Sequence, residues 1–448
     1  MGLTRALLRA GAARPHVLLA AVPGGTAVRL AAEAELRRRG WPAALSPADA
    51  DVLLVAGATS SEVDDLIDEV WRAVPAPRAR VQAFSPDDVP AVLDGARMLV
   101  GDLSRQRAAL PVPRDPMAGD VPEAGGPHSN EGSGTDGMQM PGGMQMPGGM
   151  DMPGGMDMPG DMDMAMAMGD EMDMDSGMHM HGGFQTPGGL PTASPGEDRD
   201  GLKLDQLHVP LGPFLPDWPA GLVVRVTLQG DVIQYAMAEV VGATAEGRSF
   251  WSQPWLGAAA GGRAGAGELA RRRLAAHLDS LGRFLAVAGW DVAALAARRL
   301  RDESLAGAPA AALEPAVRGF ARRVGRSRVL AWATRGLGVL RPDEAIAAGV
   351  GGPALRAGGD VCARYRQWCA EVVEAAADLA DGSPAGAGPP PGPRGPLDGS
   401  AAPSAGLVAV LPGLLAGAEF AGARLIVASL DPDADELTPA EAGAGHGG

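Results

Sequence analysis

The sequence is poor in cysteine, and this shortage excludes two kinds of architecture. Its 448 residues contain only Cys362 and Cys369, so the first 361 positions hold no thiol. Two thiols can neither build a disulfide scaffold nor supply the four thiolates that ordinarily hold an iron–sulfur cluster. On one helix they would lie about 10.5 Å apart, beyond disulfide reach. We therefore predict two free, buried thiols.

Basic charge and long apolar runs are also scarce. The sequence has 38 Lys and Arg and 54 Asp and Glu, which gives a formal net charge of −16. It contains no block of basic residues of the kind that binds nucleic acid. Lys203 is the one lysine among 37 arginines, which indicates codon bias in a GC-rich bacterial genome. No apolar run reaches the ~18–20 residues of a membrane-spanning helix. The apolar stretch at 16–22 predicts a first strand, with a signal peptide as the alternative.

The N-terminal 110 residues alternate between apolar runs and helical patterns. Such alternation with short connections predicts a doubly wound α/β domain with a parallel sheet. The helix at 60–74 has Ser60 or Ser61 as its N-cap. The predicted strands are 16–22, 51–57, 79–84 and a fourth at 96–101, and the other helix is 26–39.

The second half predicts a mainly helical α+β domain. A β-hairpin turns at Gln229-Gly230-Asp231. Helical patterns follow at 267–288, 290–303, 309–324 and 359–380, with a further helix in 404–430. The resulting domain organisation is 1–110 (α/β), 111–200 (disordered acidic linker), 201–381 with 404–434 (α+β), 382–403 (Pro/Gly linker) and 435–448 (tail), with a frayed end from 431 onward.

A methionine repeat occupies the predicted linker. Sixteen of the 20 methionines lie between Met138 and Met180, in the unit M-x-M-P-G-G with a period of six. Paired thioethers beside histidine are soft ligands that suit Cu(I) or Ag(I). A flexible linker and a methionine sink for oxidants are the alternatives. The candidate metal ligands are Met138, Met140, Met144, Met146, Met150, Met152, Met156, Met158, Met178, His179, Met180 and His181.

The stretch 51–84 resembles the iron–sulfur subunit beside the quinone site of complex I, and the small subunit of [NiFe]-hydrogenases. Gly57, Pro75 and Pro77 hold the family's strand-ending glycine and Pro-x-Pro turn. The resemblance implies cluster cysteines in the loops 23–33 and 85–90, and this chain has none there. It therefore implies a scaffold without its redox centre.

The second half resembles the quinone-site subunit of complex I, which is related to the hydrogenase large subunit. Four stretches carry this likeness in the family's order: 212–233, 271–289, 349–365 and 413–433. The family's quinone and core positions are altered throughout. In chain order they read Leu215, Pro219, His277, Phe284, Cys362 and the pair Asp435-Glu436.

The resemblance implies a non-catalytic accessory or assembly subunit of a complex-I-like or membrane-hydrogenase-like complex. Its partners would be other subunits of that complex, with no nucleic acid and no direct membrane span. It would lie in the cytoplasm, peripheral on the inner face of the plasma membrane, with no cofactor in the folded domains and copper confined to the repeat. A copper or silver buffer and a redox enzyme with a relocated site are the alternatives. His277 lies on an apolar helix face, so we expect it to be a buried histidine whose hydrogen bonds are satisfied within the protein.

Overall fold

Three short apolar runs near the N-terminus form the parallel sheet that the alternating pattern predicts. The computed structural model describes residues 11, 13–108, 194–197, 203–243, 249–260, 262, 264–383, 391–397 and 402–437. The elements of the N-terminal part are β1 (Val17–Ala21), α1 (Thr26–Arg39), β2 (Val52–Ala56), α2 (Ser61–Ala73), β3 (Ala79–Ala83), α3 (Val89–Val100) and α4 (Leu103–Ala108).

The sheet has the order β1-β2-β3, with Val52 opposite both Val17 and Ala79. Every residue of β2 is buried because helices cover both faces of the sheet. The N-cap of α2 is Ser60, whose hydroxyl accepts from the Val63 amide, as the sequence predicts. Doubly wound packing therefore holds for this part of the chain.

The predicted fourth strand at 96–101 is wrong, because these residues end helix α3. Its start carries Pro90, which fits the first helical turn. Val89, Leu93, Ala96 and Val100 are buried on one face at helical spacing. A short apolar run fits a strand and a buried helical turn equally well. Here the helical spacing of the buried residues from Val89 onward identifies a helix.

The C-terminal part joins an antiparallel sheet to a set of helices. The sheet has the order β4-β5-β6-β7, and Gly230 turns the β6–β7 hairpin with a φ of 60°. Its strands are β4 (Ser194–Glu197), β5 (Lys203–Leu211), β6 (Leu222–Gln229) and β7 (Val232–Val240). The helices are α5 (Gln253–Ala259), α6 (Ala266–Val287), α7 (Asp291–Leu305), α8 (Ala310–Gly325), α9 (Arg328–Thr334), α10 (Pro342–Ala347), α11 (Gly352–Ala357), α12 (Val361–Ala377), α13 (Pro403–Ala409), α14 (Leu411–Leu415) and α15 (Phe420–Leu430).

Two segments depart from the predicted linkers and tail. Strand β4 falls inside the range predicted as a disordered linker. Residues 431–437, predicted to fray, contain a 3-10 turn at Ala434–Glu436 and are buried throughout. We call residues 431–437 the C-terminal strap. The reason for its order is long-range pairing with arginines and amides, described below.

The N-terminal and C-terminal parts pack together in one compact unit. Phe214, from the turn after β5, joins the apolar cluster under α2. Leu30 of α1 packs with Trp251 and with Ala275 of α6. Gly221 fits closely here, because a Cβ on it would lie 2.6 Å from the Pro23 ring. We call this contact the interpart interface. No helix in the described ranges is both long and apolar enough to cross a membrane.

Candidate functional site

The methionine and histidine positions predicted to bind metal lie outside the described residues. Within the described ranges, no group of three or more His, Cys, Asp or Glu side chains has a metal-binding arrangement. The chemistry that the structure does describe is concentrated at the interpart interface. It consists of a helix N-terminus, a cluster of buried ion pairs, the C-terminal strap and a cavity.

The N-terminus of α1 is closed by a carboxylate from the far end of the chain. Asp435 accepts hydrogen bonds from the Gly24 amide and, at 3.0 Å, from the Thr26 hydroxyl. A helix N-terminus attracts negative charge because its first amides lack partners. The Gly24 amide before this helix is therefore engaged by the C-terminal strap.

This arrangement does not fit an iron–sulfur cluster, although the resemblance places cysteines in this loop. Gly25 packs so tightly that a Cβ on it would lie 2.0 Å from the Ala56 carbonyl oxygen. The two thiols of the chain, Cys362 and Cys369, are free and buried on α12, as predicted. Burial raises the pKa of Cys369 to about 12, which makes it a poor thiolate ligand.

Below this loop, arginines and carboxylates from both parts form buried ion pairs. Arg29 of α1 meets Asp279 of α6 at 2.7 Å, and Arg301 of α7 meets the same carboxylate at 2.5 Å. Arg301 also reaches Glu33 of α1 at 2.8 Å. We call these four residues the ion-pair cluster. Side chains of helices from the two parts thus neutralise one another across the interface.

The charges of the ion-pair cluster stabilise its ionised state. Burial opposes ionisation of Glu33, but Arg301 and Arg29 outweigh it and lower its pKa to about 2. Burial likewise opposes the charge on Arg29, yet Asp279 and Glu33 raise its pKa. Each group therefore depends on the others, and loss of one leaves an unpaired charge in a region of low dielectric.

The C-terminal strap contributes a second buried polar network. Asp431 pairs with Arg283 and, at 2.9 Å, with Arg394. Asp433 accepts from the Ser249 hydroxyl at 2.6 Å. Glu436 accepts from Ser252 at 2.9 Å and from Ser404 at 2.6 Å. Arg394 lies in the range predicted as a Pro/Gly linker, so this segment too is tied into the core.

The strap has four carboxyl groups and no basic side chain. Two of these carboxyl groups resist ionisation. Burial and the nearby Asp433 raise the pKa of Asp435 to about 7, despite its bonds from Gly24 and Thr26. Burial also raises the pKa of Glu436, while Arg394 opposes the shift. Both carboxyl groups therefore hold their protons more tightly than they would in water.

A cavity of about 460 Å³ lies between β1, α1 and the turn after β5. One wall is apolar and includes Leu36, Trp41 and Leu215. The resemblance places two histidines, one of them a quinone ligand, at Leu215 and Pro219, and neither of these side chains can donate or accept a hydrogen bond. The charged residues of the lining are Arg29, Glu33, Arg37, Asp217, Arg283, Asp291 and Arg298.

The other predicted positions are structural. His277 is buried in the core, and its Nε2 lies 3.1 Å from Glu371 Oε2 without the geometry of a hydrogen bond. Phe284 stacks on Tyr365, whose hydroxyl lies 3.6 Å from the Cys362 sulfur. Pro219 is buried beside the β5–β6 turn.

Sequence reasoning missed the partners that build the interface. Asp279 and Arg301 occur in amphipathic helical patterns, where charged residues ordinarily mark a solvated face. Arg364 lies four positions after Asp360, a spacing typical of a helical ion pair, but it is buried and bonded to neutral oxygens. The sequence signal for such buried ion pairs is an arginine or aspartate that interrupts the apolar face of a helix.

Comparison with known proteins adds little to this geometry. No protein-family model matches the sequence, and no curated protein matches it. The fold is similar to a chain of a solved structure described as the membrane-bound sulfane sulfur reductase (MBS), an archaeal respiratory membrane complex. That alignment has 17% identity, covers 52% of this chain and 98% of the other, and gives a TM-score of 0.38. A likeness at this level carries no argument about function.

Proposed function

We propose that the chain is a non-catalytic accessory or assembly subunit of a complex-I-like respiratory complex, of the NADH–quinone oxidoreductase or membrane-hydrogenase kind. The family assignment rests on the motif resemblance of both halves, in the family's order. The observation that carries the non-catalytic role is the closed loop at Gly24 and Gly25. In this loop, where the resemblance would put cluster cysteines, the Gly24 amide donates to Asp435 and a Cβ on Gly25 would lie 2.0 Å from the Ala56 carbonyl oxygen.

The interpart interface supports a scaffolding role. In the related complexes the two halves are separate subunits, whereas here one chain carries both and ties them with buried ion pairs. Arg29 and Asp279 alone join residues 250 positions apart. Such pairs are worth more for fixing a geometry than for net stability. A rigid two-part body without redox chemistry suits a subunit that positions others.

The proposal places the protein on the cytoplasmic face of the plasma membrane, held there by partner subunits. Its test is a pull-down of the tagged full chain from gently solubilised native membranes, with mass spectrometry of the partners. We expect membrane subunits and iron–sulfur subunits of a complex-I-like assembly. Recovery of the chain alone would contradict the proposal.

Metal analysis of the purified full chain tests the non-catalytic half separately. We expect no stoichiometric iron and no electron paramagnetic resonance signal after reduction, because the described loops hold no thiolates. Iron bound in stoichiometric amounts would overturn the non-catalytic role while leaving membership of a complex intact. The two parts of the proposal therefore fail independently.

A copper- or silver-binding role is the second candidate, and the repeat between Met138 and Met180 favours it. Thioether ligands need no deprotonation, so binding would persist at low pH. The test is a Cu(I) titration against a chromophoric chelator, with the full chain and a variant lacking residues 138–181. A matched variant with the repeat methionines changed to leucine keeps the segment and removes the sulfurs. Equal Cu(I) binding by all three proteins would exclude this role.

A further inference from the structure

Arg364 is a fully buried cation whose hydrogen-bond partners are all neutral. It lies on α12 with 1% of its surface exposed. Its Nε donates to the Ser429 hydroxyl at 2.9 Å, and its Nη1 donates to the carbonyl oxygens of Gly338 and Gly359, both at 2.8 Å. Its Nη2 is buried and has no hydrogen-bond partner among the described residues.

The lack of a contacting carboxylate sets Arg364 apart from the other buried arginines. Arg29, Arg301 and Arg394 each hydrogen-bond a carboxylate. Burial lowers the pKa of Arg364 to about 10, with Asp360 opposing the shift through space, so the group keeps its charge at neutral pH. An unpaired buried charge is costly, and an unsatisfied buried donor calls for an explanation.

A small cavity adjoins this arginine. Its volume is about 10 Å³, which is room for one water molecule or one ion of similar size. Asp431 beside it already pairs with Arg283 and Arg394, and His277 Nε2 lies 3.1 Å from Glu371 Oε2. The charge left unmatched is that of Arg364. The polar residues of the lining are His277, Ser280, Arg364, Arg394, Ser429 and Asp431.

We propose that this cavity binds a single monatomic anion of the chloride class, with Arg364 Nη2 as its donor. An anion there accepts the unused hydrogen bond and neutralises the unmatched charge. Polyatomic anions such as sulfate or phosphate exceed the space. The cavity lies between α12, α6 and Ser429 of α15. Bound anion therefore ties these elements together and stabilises the fold, and this is independent of the proposed function.

The test compares thermal unfolding of the full chain in sodium chloride and in sodium gluconate at equal ionic strength. Because a ligand that binds only the folded state raises its melting temperature, we expect a saturable rise of several degrees as chloride replaces gluconate. Chloride-35 nuclear magnetic resonance gives a direct readout. The protein should broaden the chloride line, and bromide should reverse the broadening by competition.

Variants identify the site. Arg364→Met removes the charge and the donors at similar length, and it should abolish both the melting shift and the line broadening. Arg424→Met is the matched control, because Arg424 also donates to a backbone carbonyl but does not line the cavity. It should keep the full chloride response. If Arg364→Met does not fold, Arg364→Lys and the resonance measurement on the unaltered chain decide.

Equal unfolding in chloride and gluconate, with no line broadening, would mean that the cavity holds only water and would overturn the proposal. The same chloride response in Arg364→Met and Arg424→Met would also overturn it, since the effect would then arise elsewhere on the protein.

Discussion

Asp279 is the carboxylate on which the positive charge of the interface converges. It is 1% exposed and hydrogen-bonds Arg29 and Arg301, with Arg283 3.6 Å away. We expect Asp279→Asn to lower the free energy of unfolding by about 3–5 kcal/mol, because it leaves buried guanidinium groups without their shared anion. Urea denaturation measures the loss.

Asp68→Asn is the matched control for this prediction. Asp68 also pairs with an arginine, Arg80, but half of its side chain is exposed. Surface pairs contribute at most about 1 kcal/mol, so this change should have little effect. Similar small losses in both variants would show that the ion-pair cluster does not hold the two parts together.

Asp435 gives the interface a pH dependence. Burial and Asp433 raise its pKa from the ordinary 3.8 to about 7. The folded state therefore binds this proton more tightly than the unfolded state does. The stability that results is fully present below about pH 4 and is lost as the pH rises through 7, by at most about 1.4 kcal/mol per pH unit.

Asp435→Asn should flatten the stability profile between about pH 4.5 and 7. The amide imitates the protonated acid in size and cannot ionise. Glu33 acts in the opposite direction but in another window: its stability is present above 4.5 and is lost as the pH falls through about 2. Urea unfolding at several pH values measures the slope. An unchanged slope in this variant, with exposed Asp231→Asn as the control, would refute the assignment.

At the scale of elements, the C-terminal strap is the segment that joins the most distant parts of the chain. Its carboxylates meet Gly24, Arg283 and Arg394, and Leu437 is fully buried. A chain ending at Leu430 should therefore melt at a much lower temperature and be cleaved faster by protease. A chain ending at Leu437 keeps every described residue and should match the full chain. Equal melting of both truncations would contradict this.

The elements with strong periodicity could be predicted from sequence, and the strap could not. The β6–β7 hairpin and α6 follow from local turn chemistry and helical spacing, which act within a few residues. The apolar residues at 96–101 are compatible with both a strand and a helix, and only their packing against the sheet selects the helix. The strap is short, and four of its seven residues are acidic, so its order depends wholly on partners far along the chain.

The same limit applies to the candidate site. The missing cysteines could be read directly, and they predicted the loss of a cluster site. No local pattern predicts that Asp435 closes the loop at Gly24, because the two residues are 411 positions apart. Buried ion pairs across two helices leave no local signature, since each charged residue resembles one on a solvated face.

At the scale of the whole molecule, the large apolar side chains that remain exposed are unevenly distributed. The interpart interface has buried ion pairs at its centre. By contrast, Trp332 of α9 is 82% exposed and Val329, one turn earlier, is 75% exposed. Exposed large apolar side chains on one helix face are typical of protein contact sites. A subunit held in place by partners needs such a surface.

If the protein is a subunit of a larger complex, Trp332 is the residue whose loss should weaken assembly most. Tryptophan at the centre of an interface commonly contributes about 2 kcal/mol or more, so Trp332→Ser should reduce partner recovery at least about tenfold. The melting temperature should not change, because the side chain is exposed. Phe84→Ser is the control, since Phe84 is 67% exposed in the N-terminal part. Undiminished partner recovery with Trp332→Ser, or an equal loss in both variants, would exclude α9 as a specific contact.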